Sequence, residues 1–111
     1  MNATIYHNPR CSKSREALRL LEEAGAAVTV IEYLKTPPTV AELHRLYARA
    51  GLTARDGLRA SEPDVGRLAD ADDATILEAM VVNPILIERP LVETDRGAVL
   101  ARPPERVREI L

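Results

Sequence analysis

The sequence predicts an α/β fold in which helices flank a four-stranded mixed β-sheet, with a helical insertion between two pairs of strands. Three observations support this prediction: a strand–helix–strand pattern at the N-terminus, a helical block in the middle, and a β-hairpin followed by a last helix. A chain of 111 residues can build one hydrophobic core. We therefore expect a single domain over residues 1–111.

The N-terminal part has the pattern of a βαβ unit. Residues 3–7 indicate a short buried strand, which Asn8-Pro9 ends. Small and apolar residues recur at helical spacing over residues 14–24, and Gly25 can supply the left-handed stop. Residues 27–33 are rich in Val and Ile and indicate a second strand. Because such crossovers are almost always right-handed, the two strands are expected to be parallel.

The middle of the chain predicts helices. Thr39 and Glu42 have the spacing of a capping box, and Gly51 ends that helix. Its apolar face is predicted to consist of Val40, Leu43, Leu46 and Tyr47. Residues 53–80 indicate further short helices, with Thr53 and Asp73 as N-caps. Their predicted core residues are Leu68, Ile76, Leu77 and Met80.

The C-terminal part indicates a hairpin and a helix. Residues 91–93 and 98–100 are short strand patterns on either side of Asp95-Arg96-Gly97. Pro103-Pro104 starts a last helix that runs to the C-terminus, with Val107, Ile110 and Leu111 facing inward. This order of elements is the plan of a thioredoxin-like fold with a helical insertion.

Composition excludes several classes of function. The formal net charge is −2, and base-stacking aromatic residues interleaved with basic ones are missing, so nucleic acid is not an expected partner. The longest apolar run, near residues 79–87, contains Asn83-Pro84 and is too short to span a membrane. One cysteine and two histidines do not form a thiolate-rich zinc site. The lone cysteine and the absence of a visible signal peptide predict a cytoplasmic protein.

That lone cysteine, Cys11, lies between the first strand and the first helix. Backbone N–H groups at a helix start lack intrahelical partners and favour an anion, so a thiol placed there has a lowered pKa. The neighbouring side chains could add positive charge or hydrogen bonds: His7, Arg10, Ser12, Lys13, Ser14 and Arg15. A buried structural cysteine is the alternative interpretation of the position alone.

Residues 6–15, Tyr-His-Asn-Pro-Arg-Cys-Ser-Lys-Ser-Arg, resemble the active-site loop of the glutaredoxin-coupled arsenate reductases, His-Asn-Pro-x-Cys-x-x-Ser-Arg. The resemblance covers nearly the whole chain. It implies that Cys11 is catalytic and that three arginines bind the oxyanion: Arg59, Arg89 and Arg102. It also implies a cis peptide bond at Arg89-Pro90, facing Cys11. The supporting residues that it implies are His7, Asn8, Ser12, Ser14, Arg15 and Pro90.

The resemblance further implies a reaction. Cys11 would attack the arsenic of arsenate with loss of water, glutathione would add as a co-substrate, and glutaredoxin would remove the glutathione and release arsenite. No tightly bound cofactor and no metal are expected. The absence of a second cysteine fits this scheme, because the resolving thiol must come from another molecule.

Two other enzyme classes do not fit the residues. A phosphatase-type Cys-x5-Arg loop would need arginine at position 17, which is Ala17. A dithiol Cys-x-x-Cys motif would need a second cysteine at position 14, which is Ser14. Glutathione-disulfide chemistry by a monothiol route stays open. A regulator-like or orphan relative of the same fold, which binds a protein partner without catalysis, stays open as an alternative.

Several side chains have two plausible roles on the sequence alone. His7 could stabilise the Cys11 thiolate electrostatically or could bond the backbone at the end of a strand. Ser14 is expected both to begin the helix and to bond Cys11. Glu88 and Glu93 are expected on the surface.

Overall fold

A computed structural model describes all 111 residues. Its strands are β1 (Asn2–His7), β2 (Ala27–Glu32), β3 (Leu91–Thr94) and β4 (Gly97–Leu100). Its α-helices are α1 (Ser12–Glu23), α2 (Val40–Ala50) and α3 (Asp73–Val82). Short 3₁₀ helices occupy Arg55–Gly57, Pro63–Leu68, Pro84–Leu86 and Pro104–Ile110. No helix is both long and apolar enough to cross a membrane.

The four strands form one mixed sheet in the order β2-β1-β3-β4. β1 and β2 are parallel, whereas β3 is antiparallel to both β1 and β4. The predicted βαβ unit, helical insertion and hairpin are all present, so the predicted fold class is confirmed.

The register brings four segments to one edge of the sheet. His7 pairs with Glu32, so the chain leaves β1 and β2 at the same edge. Leu91 pairs with Tyr6 and with Leu100, which puts the start of β3 and the end of β4 there as well. Residues 8–11, residue 33, residues 88–90 and residues 101–102 therefore meet at this edge.

The sheet has a core on each face, because successive strand residues point to opposite sides. Ile5 and Val92 pack with α1 and with the C-terminal 3₁₀ helix through Ala17, Leu21 and Val107. On the other face, Tyr6 and Leu91 pack with the middle helices, whose buried residues include Leu43, Leu46, Ile76, Leu77 and Met80. Each fully buried side chain of this size stabilises the fold by roughly 1.5–3 kcal/mol. The two cores together support the edge of the sheet at which the segments named above meet.

Helix boundaries differ from the predictions at several points. Thr39 caps α2 as predicted, accepting the N–H of Glu42 at 3.1 Å, but the Glu42 carboxylate accepts the hydroxyl of Tyr6 instead of completing the box. Asp72 rather than Asp73 caps α3, since its side chain accepts the N–H of Thr75. Gly25 has the predicted left-handed conformation, and Gly51, predicted to end α2, is its C-cap and is also left-handed.

Some predicted core residues are less buried than expected. Val40 is exposed, because it is the first residue of α2 and lies beyond the edge of the core. Leu68 and Leu111 are half-buried at the periphery of the two cores. The last helix is a 3₁₀ helix, with Val107 and Ile110 inward as predicted.

Candidate active site

The loop that joins β1 to α1 presents Cys11 at the start of the helix. Cys11 is the N-cap residue of α1 and has an extended backbone, with φ −92° and ψ 120°. Its N–H donates to the carbonyl of Asn8 at 3.0 Å, and its own carbonyl accepts the N–H of Arg15 at 3.0 Å. The prediction that Ser14 begins the helix is wrong, because α1 begins at Ser12. The partly exposed thiol therefore lies above the first unpaired N–H groups of the helix.

The pKa of the Cys11 thiol is lowered by this setting. Partial burial acts in the opposite direction and raises the pKa, but hydrogen bonds to the sulfur outweigh it. The donors are the backbone N–H groups of Ser14 and Lys13 and the guanidinium of Arg89, whose charge adds to the effect. A lowered pKa increases the fraction of the thiol that is present as thiolate, which is the form of cysteine that acts as a nucleophile.

Ser14 and His7 form a buried pair beneath the Cys11 loop. The Ser14 hydroxyl lies 2.6 Å from Nδ1 of His7 and accepts the N–H of Asn8 at 3.1 Å. The expectation that the Ser14 side chain bonds Cys11 is wrong, since its backbone N–H does so instead. The reason is geometric: at the third position of the helix the side chain turns inward, and Ser14 is completely buried.

His7 is neutral near neutral pH. Its imidazole is buried, and burial lowers its pKa; Glu32 acts against this shift, while Arg15 adds to it. The partner of Nδ1 is a side chain, not the backbone group considered from the sequence. His7 therefore supports the shape of the loop and does not supply a positive charge to the thiolate.

Further hydrogen bonds fix the remainder of the loop. Oδ1 of Asn8 accepts the N–H of Arg10 at 3.0 Å. Nη1 of Arg15 donates to the carbonyl of Pro9 at 2.9 Å. Ser12 is exposed on the first turn of α1. Asn8 and Arg15, both predicted as supporting residues, are therefore structural parts of the Cys11 loop.

Two of the predicted arginine side chains, those of Arg59 and Arg102, meet at the carboxylate of Glu88, which also accepts the backbone N–H of Arg89. Nη1 of Arg59 donates to Oε1 of Glu88 at 3.0 Å, and the N–H of Arg89 donates to the same oxygen at 3.2 Å. Nη1 of Arg102 lies 3.7 Å from that oxygen and donates to the carbonyl of Arg89 at 3.0 Å. We call Arg59, Glu88, Arg89 and Arg102 the arginine cluster. Arg89 is the member of this cluster whose guanidinium lowers the pKa of Cys11.

Glu88 is the residue that sequence reasoning missed. It was expected on the surface, but its side chain is only 18% exposed. The error has a physical cause, because Glu88 becomes buried only when the segment before β3 meets Arg59 and Arg102. The same expectation was wrong for Glu93, whose side chain is 15% exposed and pairs with Arg45 and Arg49 of α2.

The peptide bond Arg89-Pro90 is cis, as the resemblance predicted, and Pro90 is fully buried. The bond Arg102-Pro103 is also cis. Both bonds lie at the edge of the sheet where the Cys11 loop leaves β1, one before β3 and one after β4.

A cavity of about 470 Å³ opens beside the Cys11 loop. Its charged lining consists of Arg10, Lys35, Arg59 and Arg89 on the positive side and Glu32 and Glu62 on the negative side. Cys11 and Arg102 are not among its lining residues. The positive excess favours an anionic ligand next to the thiol. No group of three or more His, Cys, Asp or Glu residues is arranged to hold a metal ion.

Two buried polar atoms at the site have no hydrogen-bond partner, namely Oη of Tyr33 and Nε of Arg89. Burial raises the pKa of Tyr33. The charges of Arg89 and Arg59 and the polar side chain of Asn8 act against that increase, and Cys11 adds to it. The Tyr33 hydroxyl is therefore a neutral donor within reach of the charges of the site. Sequence reasoning gave Tyr33 no role beyond the end of a strand.

Known proteins resemble this chain over its full length. The sequence pattern described as the ArsC family matches residues 6–110. The chain is 45% identical over 115 residues to "Arsenate reductase" of Rhizobium meliloti, covering 100% of this chain and 82% of that protein. It is 46% identical over 112 residues to "Uncharacterized protein YfgD" of Escherichia coli, covering 96% and 94% respectively.

Solved structures agree with this resemblance. The structure described as "Arsenate reductase from Vibrio cholerae" superposes with a TM-score of 0.93 at 47% identity, covering 100% of this chain and 98% of that one. The architecture that brings Cys11 and the three arginines to one edge of the sheet is thus shared with a protein of that description.

Proposed function

Because the chain belongs to the ArsC family, we propose that it reduces arsenate to arsenite, with Cys11 as the nucleophile and with glutathione and glutaredoxin as electron donors. The observation that carries the proposal is the position of Arg89, which belongs to the arginine cluster and whose guanidinium lowers the pKa of the Cys11 thiol. It couples a thiol of lowered pKa to a cluster of three arginines. The names of relatives that match the chain at 43–45% identity support arsenate as the substrate.

In the first step, the Cys11 thiolate attacks the arsenic of arsenate. A sulfur–arsenic bond forms, an arsenic–oxygen bond breaks, and the oxygen leaves as water after it takes up protons. Arsenate and thiolate are both anions, so their approach is opposed by charge repulsion. The guanidiniums of Arg59, Arg89 and Arg102 offset that repulsion and can bind two oxygens each in fork geometry.

In the second step, external thiols supply the electron pair. The thiol of glutathione adds to arsenic with loss of a second water. A glutaredoxin thiolate then attacks the glutathione sulfur to form a mixed disulfide, and the electron pair of the broken sulfur–arsenic bond reduces arsenic from As(V) to As(III). Water releases arsenite and regenerates Cys11. Cys11 is the only cysteine, so this chain cannot form an internal disulfide that would serve instead.

The reaction requires a reducing compartment. A partly exposed thiol with a lowered pKa is readily oxidised where no reductant protects it. The glutathione pool of the cytoplasm has a strongly negative reduction potential, so it keeps thiols reduced. We therefore place the reaction there.

A non-catalytic, partner-binding role is the second candidate. One observation favours it: the relative named YfgD is as similar to this chain as the arsenate reductases are, and its name gives no activity. The arginine cluster opposes this role, since a partner-binding protein has no evident need for three arginines next to a thiol of lowered pKa.

A coupled assay tests the proposal. Purified protein is mixed with arsenate, glutathione, glutaredoxin, glutathione reductase and NADPH, and NADPH oxidation is followed beside a Cys11→Ser control. We expect turnover by the wild type and loss of at least about 1,000-fold in Cys11→Ser, as for removal of other nucleophiles. Circular dichroism should show both proteins folded, because the Cys11 side chain lies outside both core clusters.

Three outcomes separate the parts of the proposal. No turnover by a folded wild type contradicts arsenate reduction and favours the partner-binding role. Full turnover with thioredoxin in place of glutathione and glutaredoxin contradicts the proposed donors alone. Full turnover by Cys11→Ser contradicts the assigned nucleophile.

A further inference from the structure

We propose that the hydroxyl of Tyr33 is a substrate-binding group, which donates a hydrogen bond to the oxyanion at Cys11 together with Nε of Arg89. This inference deepens the proposed function and rests on it for the identity of the oxyanion. It adds a neutral donor to a site otherwise built from charged arginines.

The position of Tyr33 follows from the sheet. Glu32 is the last residue of β2 and pairs with His7, the last residue of β1. Tyr33 therefore leaves the sheet alongside Asn8, at the edge where the Cys11 loop begins. Its ring is held in the core between the sheet and the middle helices, with 1% of the residue exposed. A ring fixed in this way holds its hydroxyl in place before a ligand arrives.

The hydrogen-bond state of Tyr33 sets it apart from the other two tyrosines. The hydroxyl of Tyr6 donates to Oε1 of Glu42 at 3.1 Å, and that of Tyr47 lies 3.7 Å from Sδ of Met80. All three rings belong to the same core cluster, but only the Tyr33 hydroxyl has no partner within hydrogen-bond geometry. The side chain of Asn8 lies near enough to lower the pKa of Tyr33, but it makes no hydrogen bond of normal geometry with the hydroxyl. Buried polar groups without partners are rare and call for an explanation such as an absent ligand.

The second unpartnered atom points to the same ligand. Nε of Arg89 is the only other buried side-chain polar atom without a hydrogen bond. Arg89 also lowers the pKa of the Cys11 thiol, and its charge acts on the Tyr33 hydroxyl, so it lies close to both groups. Both orphan atoms are donors. One acceptor-rich anion bound beside Cys11 would satisfy both.

Electrostatics favours the same assignment. Burial raises the pKa of Tyr33 more than the nearby arginines lower it, so the hydroxyl keeps its proton near neutral pH. A protonated phenol donates to arsenate without repelling it. Arsenate has four oxygens, which offer more acceptor positions than the guanidiniums alone need to fill.

The test is Tyr33→Phe, which removes the hydroxyl and keeps the ring. Tyr47→Phe is the matched control, since Tyr47 lies in the same cluster and its hydroxyl already has a hydrogen-bond partner, Sδ of Met80. Alkylation of Cys11 by iodoacetamide is measured with increasing inorganic arsenate and no thiol. Bound arsenate should slow alkylation, and the concentration for half-protection should rise about tenfold or more in Tyr33→Phe and stay unchanged in Tyr47→Phe.

Two further readouts separate binding from a structural role. In the coupled assay, KM for arsenate should rise by a similar factor in Tyr33→Phe with little change in kcat. Without arsenate, the Tm of Tyr33→Phe should equal or exceed that of the wild type, because the variant loses a buried polar group that had no partner. Failure of Tyr33→Phe to fold would contradict the inference, since the hydroxyl would then serve the structure.

The remaining outcomes distinguish this inference from the proposed function. Equal protection in Tyr33→Phe and the wild type overturns the inference and leaves arsenate reduction intact. Protection that depends on Tyr33 in a protein without turnover supports the inference and contradicts the function. No protection of the wild type by arsenate overturns the inference.

Discussion

The two halves of the candidate site are built in opposite ways. In the Cys11 loop, residues 7–15, the hydrogen bonds described above join residues that are close in the sequence. The largest separation is seven residues, between His7 and Ser14. In the arginine cluster, Arg59 and Glu88 are 29 residues apart, and Arg102 and Arg89 are 13 apart. The first half is local, whereas the second exists only when three distant segments have packed together.

The two halves supply different properties of the site, namely activation of the thiol and binding of the anion. The donors that the loop supplies to the Cys11 sulfur are backbone N–H groups, which substitution of side chains leaves in place. The charges that receive an oxyanion are side chains, held in position by Glu88 and by the sheet. Arg89 belongs to the arginine cluster and is the only member of it that also acts on the Cys11 sulfur. Substitutions can therefore separate activation of the thiol from binding of the anion.

Among substitutions that test this division, the largest effect is expected from Arg89→Ala, because Arg89 acts on both halves. We expect kcat/KM for arsenate to fall about 100-fold, the usual cost of losing one charge-stabilising donor. The pKa of Cys11 should also rise, because a hydrogen bond and a positive charge at the sulfur are lost. The coupled assay and the pH dependence of alkylation measure the two effects.

Arg19→Ala is the matched control for Arg89→Ala. Arg19 is an exposed arginine of α1 that pairs with Glu16 and Glu23, away from Cys11. Its substitution should leave kcat/KM unchanged. If Arg89→Ala also turns over arsenate at the wild-type kcat/KM, Arg89 does not belong to the site.

A smaller effect is expected from Glu88→Gln, which acts on the arginine cluster alone. The amide keeps the size of the side chain but loses the charge that holds Arg59 and Arg102. We expect kcat to fall about tenfold, because misplaced binding groups slow the reaction. KM for arsenate should not rise, since a carboxylate that repels the anion is removed.

The control here is Glu93→Gln, which also separates a carboxylate from two arginines, Arg45 and Arg49. It should leave kcat unchanged. Glu88→Gln should likewise leave the pKa of Cys11 unchanged, because Glu88 is not among the groups that act on the sulfur. A change of the Cys11 pKa in either direction in Glu88→Gln would show that the two halves are not separable.

The smallest expected effect concerns His7, in the local half. Its pKa in the folded protein lies below the ordinary value of about 6.5. As the pH falls below about 6.5, the unfolded chain takes up a proton before the folded protein does, so the free energy of unfolding decreases until the pH passes the folded pKa. Urea unfolding at several pH values should show this decrease in the wild type. An equal slope in His7→Gln would contradict the assignment of a neutral, buried imidazole.

The same division explains how much the sequence could predict. The Cys11 loop was predicted from a helix start and a motif within ten residues, and the strands and the βαβ unit from local hydrophobic patterns. The direction of the Ser14 side chain could not be predicted from the sequence, because it depends on which face of α1 meets His7. Likewise, Asp72 and Asp73 are equivalent caps until the first turn of α3 selects one.

Tertiary packing accounts for the residues that were missed. Glu88 looks like any charged residue near a strand until Arg59 and Arg102 surround it. Tyr33 looks like the end of an ordinary buried strand, and its lack of a hydrogen-bond partner exists only in three dimensions. The positions of the three arginines were predicted by resemblance alone. Their convergence on Glu88 is a property of the fold.

The pH dependence of Cys11 alkylation tests the central claim most directly, because it measures the thiolate in the intact protein without any partner. Iodoacetamide rates between about pH 4 and 10 give the apparent pKa of the thiol. We predict a value clearly below the ~8.5 of a free cysteine, since backbone N–H groups and Arg89 stabilise the thiolate. An apparent pKa at or above ~8.5 in the folded protein would contradict the account of Cys11 as an activated nucleophile.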